Sequence, residues 1–566
     1  MRYYLFLLVL LTTAITTYAQ NTTQTIKGVV IDKNSLTPLP SATVQILNTN
    51  PKIGAVSSKT GNFKIENVPV GRYDIQVSFV GYEPLVIKEV VVSSAKETYI
   101  TASLKETGIS VAEVIVKPTV NKVEPLNAMS TVSARMLSVE EAKRYAGGFD
   151  DPARLASSFA GVASNVGSNG IVVRGNAPKF LQWKMEEIEI PNPNHFADMA
   201  SFGGGGLTAL SSQLLANSDF LTGAFPAEYT NALSGVFDIF MRNGNNEDYE
   251  HTFQVGVIGI DIASEGPFKK GGSSYLFNYR YSTLSLLTPL SPEDADGTSY
   301  QDFSFKLNFP TQSSGTFTLW GIGLLDRSGQ KAETDSFKWK YIQDKEEQNV
   351  QQSMGVIGMS HTYILSNNSY IKSNLATTVS GLRLDTKRIN TSLELLQYNT
   401  ISTTNQNFVL SSYLNTKFSI DHINKSGFTV TGLGYNMQLK QAEKTGEPLQ
   451  TYTDETGFST LIAAYSNSSI QLTDALTMNL GISSQIFTLN TKYTIEPRLA
   501  FRVQLPDDNG ALGIGYGNNS RLERVNYYFT KSVSTGDELI NKNLDFTKAH
   551  HIVLSYSKEL SENVSV

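Results

Sequence analysis

The chain has 566 residues, a formal net charge of −6 and 0 Cys. Disulfides, thiol catalysis and thiolate metal sites are thereby excluded, and a pI of about 5.7 without a long Lys/Arg run lacks the electrostatic footprint of nucleic-acid binding. The length allows two or more domains, while a mean hydropathy of −0.17 leaves a soluble chain and a membrane β-barrel both open, because barrel strands alternate lipid-facing and lumen-facing residues.

Residues 1–19 begin with Arg2, pass through an apolar run over 5–11 and turn small and polar before Ala19. This is the pattern of a secretory signal peptide cut after Ala19. Its apolar core is too short to span a bilayer as a helix. Gln20 follows, not Cys, so a lipid anchor on the new N-terminus is not expected. The chain is therefore expected to leave the cytoplasm.

In residues 20–106 short β-branched runs recur between turn residues: IKGVV (26–30), ATVQI (42–46), NFKI (62–65) and YDIQVSF (73–79), with Gly61, Gly71 and Gly81 between them. Short strands at this spacing predict a small all-β sandwich. The strings GVVID, PLPSATV, TGNFKI and VPVGRYDIQVSFVGY resemble the carboxypeptidase regulatory-like domain over nearly the whole region. That resemblance brings no peptidase with it. Zinc hydrolysis needs several ligands close together, and the nearest approach, His195 with Asp198, has no third ligand in view. No metal or cofactor is expected, and the module is read as one that binds or spaces.

Residues 107–121 read as a linker. Within it SVAEVIVK (110–117) is extended and β-branched and ends at Pro118. It is either the last strand of the sandwich or a free augmenting strand. It resembles the TonB box, which implies that Glu113, Val114, Ile115 and Val116 pair edge-to-edge with the periplasmic energy transducer TonB.

Residues 122–246 predict a small α+β unit. SVEE (138–141) is a capping box for a helix ending near Gly147. Asp151 and Pro152 supply the cap and first-turn proline of a second helix that Gly161 would stop. Strands are expected at 170–174 and 236–241. GIVVRG (170–175) and FLTGAFPAEY…NALSGVFD (220–238) resemble the two signatures of a TonB-dependent receptor plug, with Thr230 standing where the family usually has Gly. Arg174, Gly175 and Arg242 are read as structural, the arginines pairing with acidic groups. The loop after the first signature carries Trp183, Asn192, Asn194, His195 and Phe196, which either contact substrate, as apical loops of the resembled family do, or pack against the surrounding wall. The run 203–206 lacks the Lys-Ser/Thr of a phosphate loop.

From 247 to 566 the pattern has period two. Tyr275, Phe277, Tyr279 and Tyr281 share one face of a strand, and Phe303, Phe305, Leu307 and Phe309 alternate with Ser304 and with Asp302, Lys306 and Asn308, which are expected to face a lumen. Abundant Tyr (26) and Phe (28) suit interfacial girdles, and EPRLAFR (496–502) resembles a strand frequent in TonB-dependent barrels.

Taken together the resemblance implies a mainly β protein: an N-terminal β-sandwich, an α+β plug and a partial antiparallel transmembrane β-barrel in the Gram-negative outer membrane. It also implies energised uptake of a scarce solute through TonB, with outer-membrane lipid and a small-molecule or oligomeric substrate as the other partners. The alternative is an outer-membrane sensor or surface-binding receptor without transport. No catalytic constellation is present in sequence, so no enzyme is expected. Residues 247–566 should hold about 12–15 strands at roughly 22–25 residues each, against the 22 of the resembled barrels. An in-frame continuation past Val566 is therefore expected.

Overall fold

The structure is a computed structural model and describes residues 22–107, 125–144, 151–164, 169–198, 204–256, 259–282, 296–505, 510–531, 538–561 and 564–565. The expected export signal and Glu113, Val114, Ile115 and Val116 lie outside the described residues. The chain divides into two compact units, Met1–Lys122 and Val123–Val566.

In the first unit the predicted runs become strands, joined by three more, in two sheets. One has the order Asn62–Pro69, Thr23–Asp32, Thr98–Leu104; the other runs Ile53–Val56, Thr43–Ile46, Gly71–Ser78, Leu85–Val92. Alternation decides what is inside: Val44 and Ile46, Phe63 and Ile65, and Ile75 and Val77 meet between the sheets, five of these six with exposures of 0–3%. Burying such a side chain contributes about 1.5–3 kcal/mol. Thr23–Asp32 runs parallel to Thr98–Leu104, so the start and end of the unit share one sheet. Gly28 permits this pairing, since a Cβ there would stand 1.9 Å from the Ile100 carbonyl oxygen. Asp32, 1% exposed, accepts the backbone N–H groups of Asn34 and Ser35 at 2.8 Å and the Tyr82 hydroxyl at 3.0 Å. Burial and this carboxylate push the Tyr82 phenol up from its ordinary value.

The second unit is a small plug surrounded by a large wall. The plug is built on a five-stranded sheet in the order Ile188–Ile190, Leu181–Met185, Gly235–Ile239, Ser218–Leu221, Ala134–Leu137. Its second and third strands are the parallel pair, with Trp183 opposite Phe237. The first helix, Val139–Arg144, has its Glu141 N–H 3.4 Å from Ser138 Oγ. The second, Pro152–Ala156, is capped by Asp151 as expected. It ends before Gly161 because the Ser157 and Ser158 hydroxyls donate to the carbonyls of Arg154 and Leu155 at 2.6 and 2.7 Å, competing with helix continuation. The expected strands appear shortened, as Ile171–Val173 and Gly235–Ile239.

The wall is a 15-stranded sheet in which every strand from Glu250–Val255 to Val564–Ser565 pairs antiparallel with the next in the chain. Period two sets its faces. Along Leu476–Phe487, Asn479, Ser483 and Gln485 are buried while Leu480, Ile482 and Ile486 point outward and exposed. Outward apolar residues recur on strand after strand, among them Phe303, Phe317, Leu375, Phe408, Phe458, Ile495 and Leu554. A large apolar surface of this kind matches lipid. Asp302 and Lys306 face inward as expected. The connections differ between the two ends: 367–368, 420–421 and 474–475 are tight turns at one rim, while 331–345 and 522–546 are long loops at the other. Outer-membrane barrels place their short turns on the periplasmic side. No helix among the described residues is long and apolar enough to cross a membrane.

Candidate functional site

The place where chemistry concentrates is the lumen, where plug and wall meet. The hairpin from Leu181–Met185 to Ile188–Ile190 turns on Glu186 and Glu187 with φ of 50° and 71°. Both positions are left-handed, as this two-residue turn demands, where Asn-Gly is the usual sequence. The glutamates are used for the wall instead. Lys306 Nζ lies 2.8 Å from Glu186, and Lys372 Nζ 2.9 Å from Glu187, which also accepts the Tyr413 hydroxyl at 3.0 Å.

His195 is 0% exposed and lies between two wall carboxylates, Nδ1 at 2.5 Å from Asp326 and Nε2 at 2.9 Å from Asp302. Arg280 approaches Asp302 at 3.0 Å and donates to the plug carbonyl of Thr208 at 2.7 Å. Burial opposes charging of His195, but the two carboxylates outweigh it and hold its pKa above the ordinary value. Nearby, burial pushes the Asp151 carboxyl up to about 6, although the Ala153 N–H and Asn169 amide both donate to it.

On the other side of the lumen, Arg498 donates to the plug carbonyls of Phe225, Pro226 and Tyr229 and pairs with Glu496 at 2.8 Å. Arg521 donates to the carbonyls of Phe180 and Leu181. The first part of the long connection, residues 522–531, folds inward: Tyr528 on the short helix Val525–Tyr528 is 0% exposed, with Phe487 beside it at 4.9 Å between ring centroids. Arg524 reaches Asp198 of the plug at 2.9 Å, and the Leu522 N–H donates to Asn231 at 2.9 Å. Asn231, φ 56°, carries the left-handed turn beside Thr230.

The sequence-selected residues are distributed as follows. Trp183 lies in the plug core, 4% exposed and stacked on Phe237 at 4.3 Å, and not in an apical loop. Asn194 and His195 have exposures of 0% and are engaged by Asn192 and Asn169 and by the wall aspartates. Of the apical set, Asn192 and Phe196 are half-buried; Asn192 donates to the Gly204 carbonyl, and the Phe196 N–H donates to Asp326. Within this loop His195 and Phe196 meet wall carboxylates, and Asn192 and Asn194 bond to plug groups. Arg242 is bidentate on Glu265 at 2.5 and 2.6 Å. Arg174, φ 50° and followed by Gly175 at 82°, differs from the expected ion pair. It donates to the hydroxyls of Ser133 and Thr222 at 2.9 and 3.3 Å, where the turn aims it. Glu186, Glu187 and Glu228 were missed, although two adjacent acids between apolar strands were a visible signal.

The CarboxypepD_reg-like domain family matches residues 26–116, most of the first unit, with Glu113 to Val116 inside the match. No curated protein sequence matches the chain. Among solved structures, the outer membrane transporter YddB from Escherichia coli aligns with a TM-score of 0.54 at 12% identity, over 76% of this chain and 68% of that one. A mutant of the ferric enterobactin receptor PfeA from Pseudomonas aeruginosa aligns at 0.53 and 11%, over 76% and 69%. The siderophore receptor PirA from Acinetobacter baumannii aligns at 0.51 and 15%, over 76% and 69%. The likeness establishes the fold: a plug within an antiparallel wall, as in TonB-dependent outer-membrane receptors.

Proposed function

We propose that the chain serves as an outer-membrane TonB-dependent receptor that takes up a scarce solute by energised displacement of its plug. The observation that carries this reading is the plug itself: an α+β unit set inside an outward-apolar sheet and fastened to it by ion pairs such as Glu186–Lys306 and Glu187–Lys372. A plain pore has no use for such a unit, and a soluble binding protein has no use for the lipid-matching face. The outer membrane has no nucleotide energy source, so coupling to another compartment is the expected way to concentrate a solute. Ferric chelates are the first substrate class to test because the aligned structures include a ferric enterobactin receptor, PfeA, and a siderophore receptor, PirA; vitamins, other metal chelates, oligosaccharides and peptides follow.

TonB docking is assigned to Glu113, Val114, Ile115 and Val116 by strand addition. The test is growth of a deletion strain on single limiting nutrients, with uptake restored by the native gene. Loss of growth on one nutrient supports the proposal, and recovery of the protein in the soluble periplasm overturns it. Val114→Pro removes a ladder donor and fixes the backbone. It should abolish uptake while binding at the surface persists, and undiminished uptake would remove this docking assignment.

A further inference from the structure

We propose that residues 125–131 form a clasp between plug and wall, with Asn127 as its positioning residue, and that a pull on the linker ahead of it withdraws the clasp. The inference rests on the uptake reading for the pull and on geometry for everything else. Pro125 is the first described residue of the second unit. Directly after it, the backbone N–H groups of Leu126 and Asn127 each donate to one oxygen of Asp219 at 2.8 Å. Asp219 is 1% exposed and sits on the plug sheet.

The Asn127 amide donates to Glu228 and, at 3.0 Å, to the Tyr229 hydroxyl, which donates on to Asp238 at 2.8 Å. The second oxygen of Glu228 is held by Lys425 of the wall. Two residues further on, the Met129 carbonyl accepts from Asn479 of the wall at 2.5 Å. One short segment thus touches the plug sheet at Asp219 and the wall at Asn479, and reaches Lys425 through Glu228. Tension on the linker loads these bonds first, because no other described part of the plug lies nearer to it in the chain. Withdrawing Asn127 takes a donor from Glu228, which is 8% exposed and has little water to replace it. The buried Glu228 carboxylate is then left with Lys425 alone, and the same movement frees Asn479.

The native chain has 0 Cys, so Ser130→Cys is a unique probe. Ser130 is 5% exposed and its hydroxyl has no hydrogen-bond partner among the described residues, as is also true of Ser234, 3% exposed, in the plug body. The assay is labelling of the full chain in lipid vesicles by a charged maleimide, with no substrate or TonB present. In the Ser130→Cys background, Asn127→Ala should raise the labelling rate about 10- to 100-fold, the weight of a hydrogen bond to a charged group. A Ser234→Cys probe should not change. Glu228→Gln keeps the shape, gives up the charge and should raise Ser130→Cys labelling too, with the double variant no faster than the larger single one. An Asn127→Ala rate within about twofold of its parent, an equal rise at both probes, or a double variant equal to the product of the singles each overturns the clasp. Because uptake is not measured, a failure here leaves the transport proposal standing, and a failure of transport leaves these rates to be judged alone.

Discussion

Lys306→Met isolates what the plug–wall ion pairs contribute. The Lys306 ammonium lies 2.8 Å from Glu186 and 2.7 Å from the Met241 carbonyl, with side-chain exposures of 9% for the lysine and 6% for the glutamate. Removing one partner of a buried pair costs about 3–5 kcal/mol, because the other charge stays buried alone. Glu186 keeps one donor, the Met241 N–H at 2.8 Å, so the low end, about 3 kcal/mol, applies here. At about 1.36 kcal/mol per decade the open population around the plug edge rises roughly a hundredfold. Hydrogen exchange of a peptide covering 235–241 reads this directly, since the Met241 amide is itself bonded to Glu186 and exchange follows the open population. The Lys306→Met/Glu186→Gln double variant leaves no buried charge and should return most of the way towards the native rate. A single variant exchanging within about fivefold of native, or a double variant as fast as the single, would refute the reasoning that these pairs, and not general packing, hold the plug edge.

Three further outcomes follow from the geometry. His195, with its pKa held above the free value, strengthens the plug–wall contact fully below about pH 6.5, and that contribution fades as pH rises through the higher folded value. Measured against the intrinsic exchange rate at each pH, plug protection should therefore fall at alkaline pH and lose this dependence in His195→Asn; a native protection that does not change with pH contradicts the clamp at Asp302 and Asp326. Ile482→Arg places a charge on the outward apolar face and should cost about 2–4 kcal/mol near mid-membrane, lowering the outer-membrane fraction on fractionation, whereas an unchanged yield would mean that this face does not meet lipid. Tyr528→Ala should open the inward loop to protease by well over tenfold, the effect of removing a buried ring at about 3 kcal/mol. Arg524→Ala removes a half-exposed pair with Asp198 and should change cleavage by less than about fivefold, and the reverse order would place the anchor in the wrong residue.

Period-two patterning made the wall legible: the outward face of Tyr275, Phe277, Tyr279 and Tyr281 and the inward face of Asp302 and Lys306 were readable because each residue's side is set by its parity within a strand. The cap at Asp151 and Pro152 was legible for the same local reason. What was not legible depends on distant partners. His195 meets Asp302 and Asp326, which are 107 and 131 residues away, and nothing near His195 in sequence announces them. Trp183 was placed in a loop although Leu181, Trp183 and Met185 alternate with Gln182 and Lys184. That alternation marked a strand, and the proline-rich stretch behind it obscured the signal. Arg174 was expected to find an acid, but its direction depends on a left-handed turn that the VRG string does not reveal.

The plug adheres differently on its two sides. Towards the strands Thr316–Gln330 to Leu395–Ser419 it shares one apolar cluster with Trp320, Ile322, Leu324, Met354, Val356 and Val409. Towards the strands from His422–Gln441 onward the contacts are mainly Lys425, Asn479, Arg498 and Arg521, with a small patch at Val132 and Val553. Separating the first side exposes that cluster at about 25 cal/mol per Å² and at the same time parts the buried pairs Glu187–Lys372 and His195–Asp326. Separating the second exposes groups that water can rehydrate one at a time, so its resistance falls as soon as a crack admits solvent. The two sides therefore part in different ways: the cluster around Trp320 and Val356 resists until its whole area is separated, whereas the contacts at Lys425, Asn479, Arg498 and Arg521 can be lost one bond at a time as solvent enters.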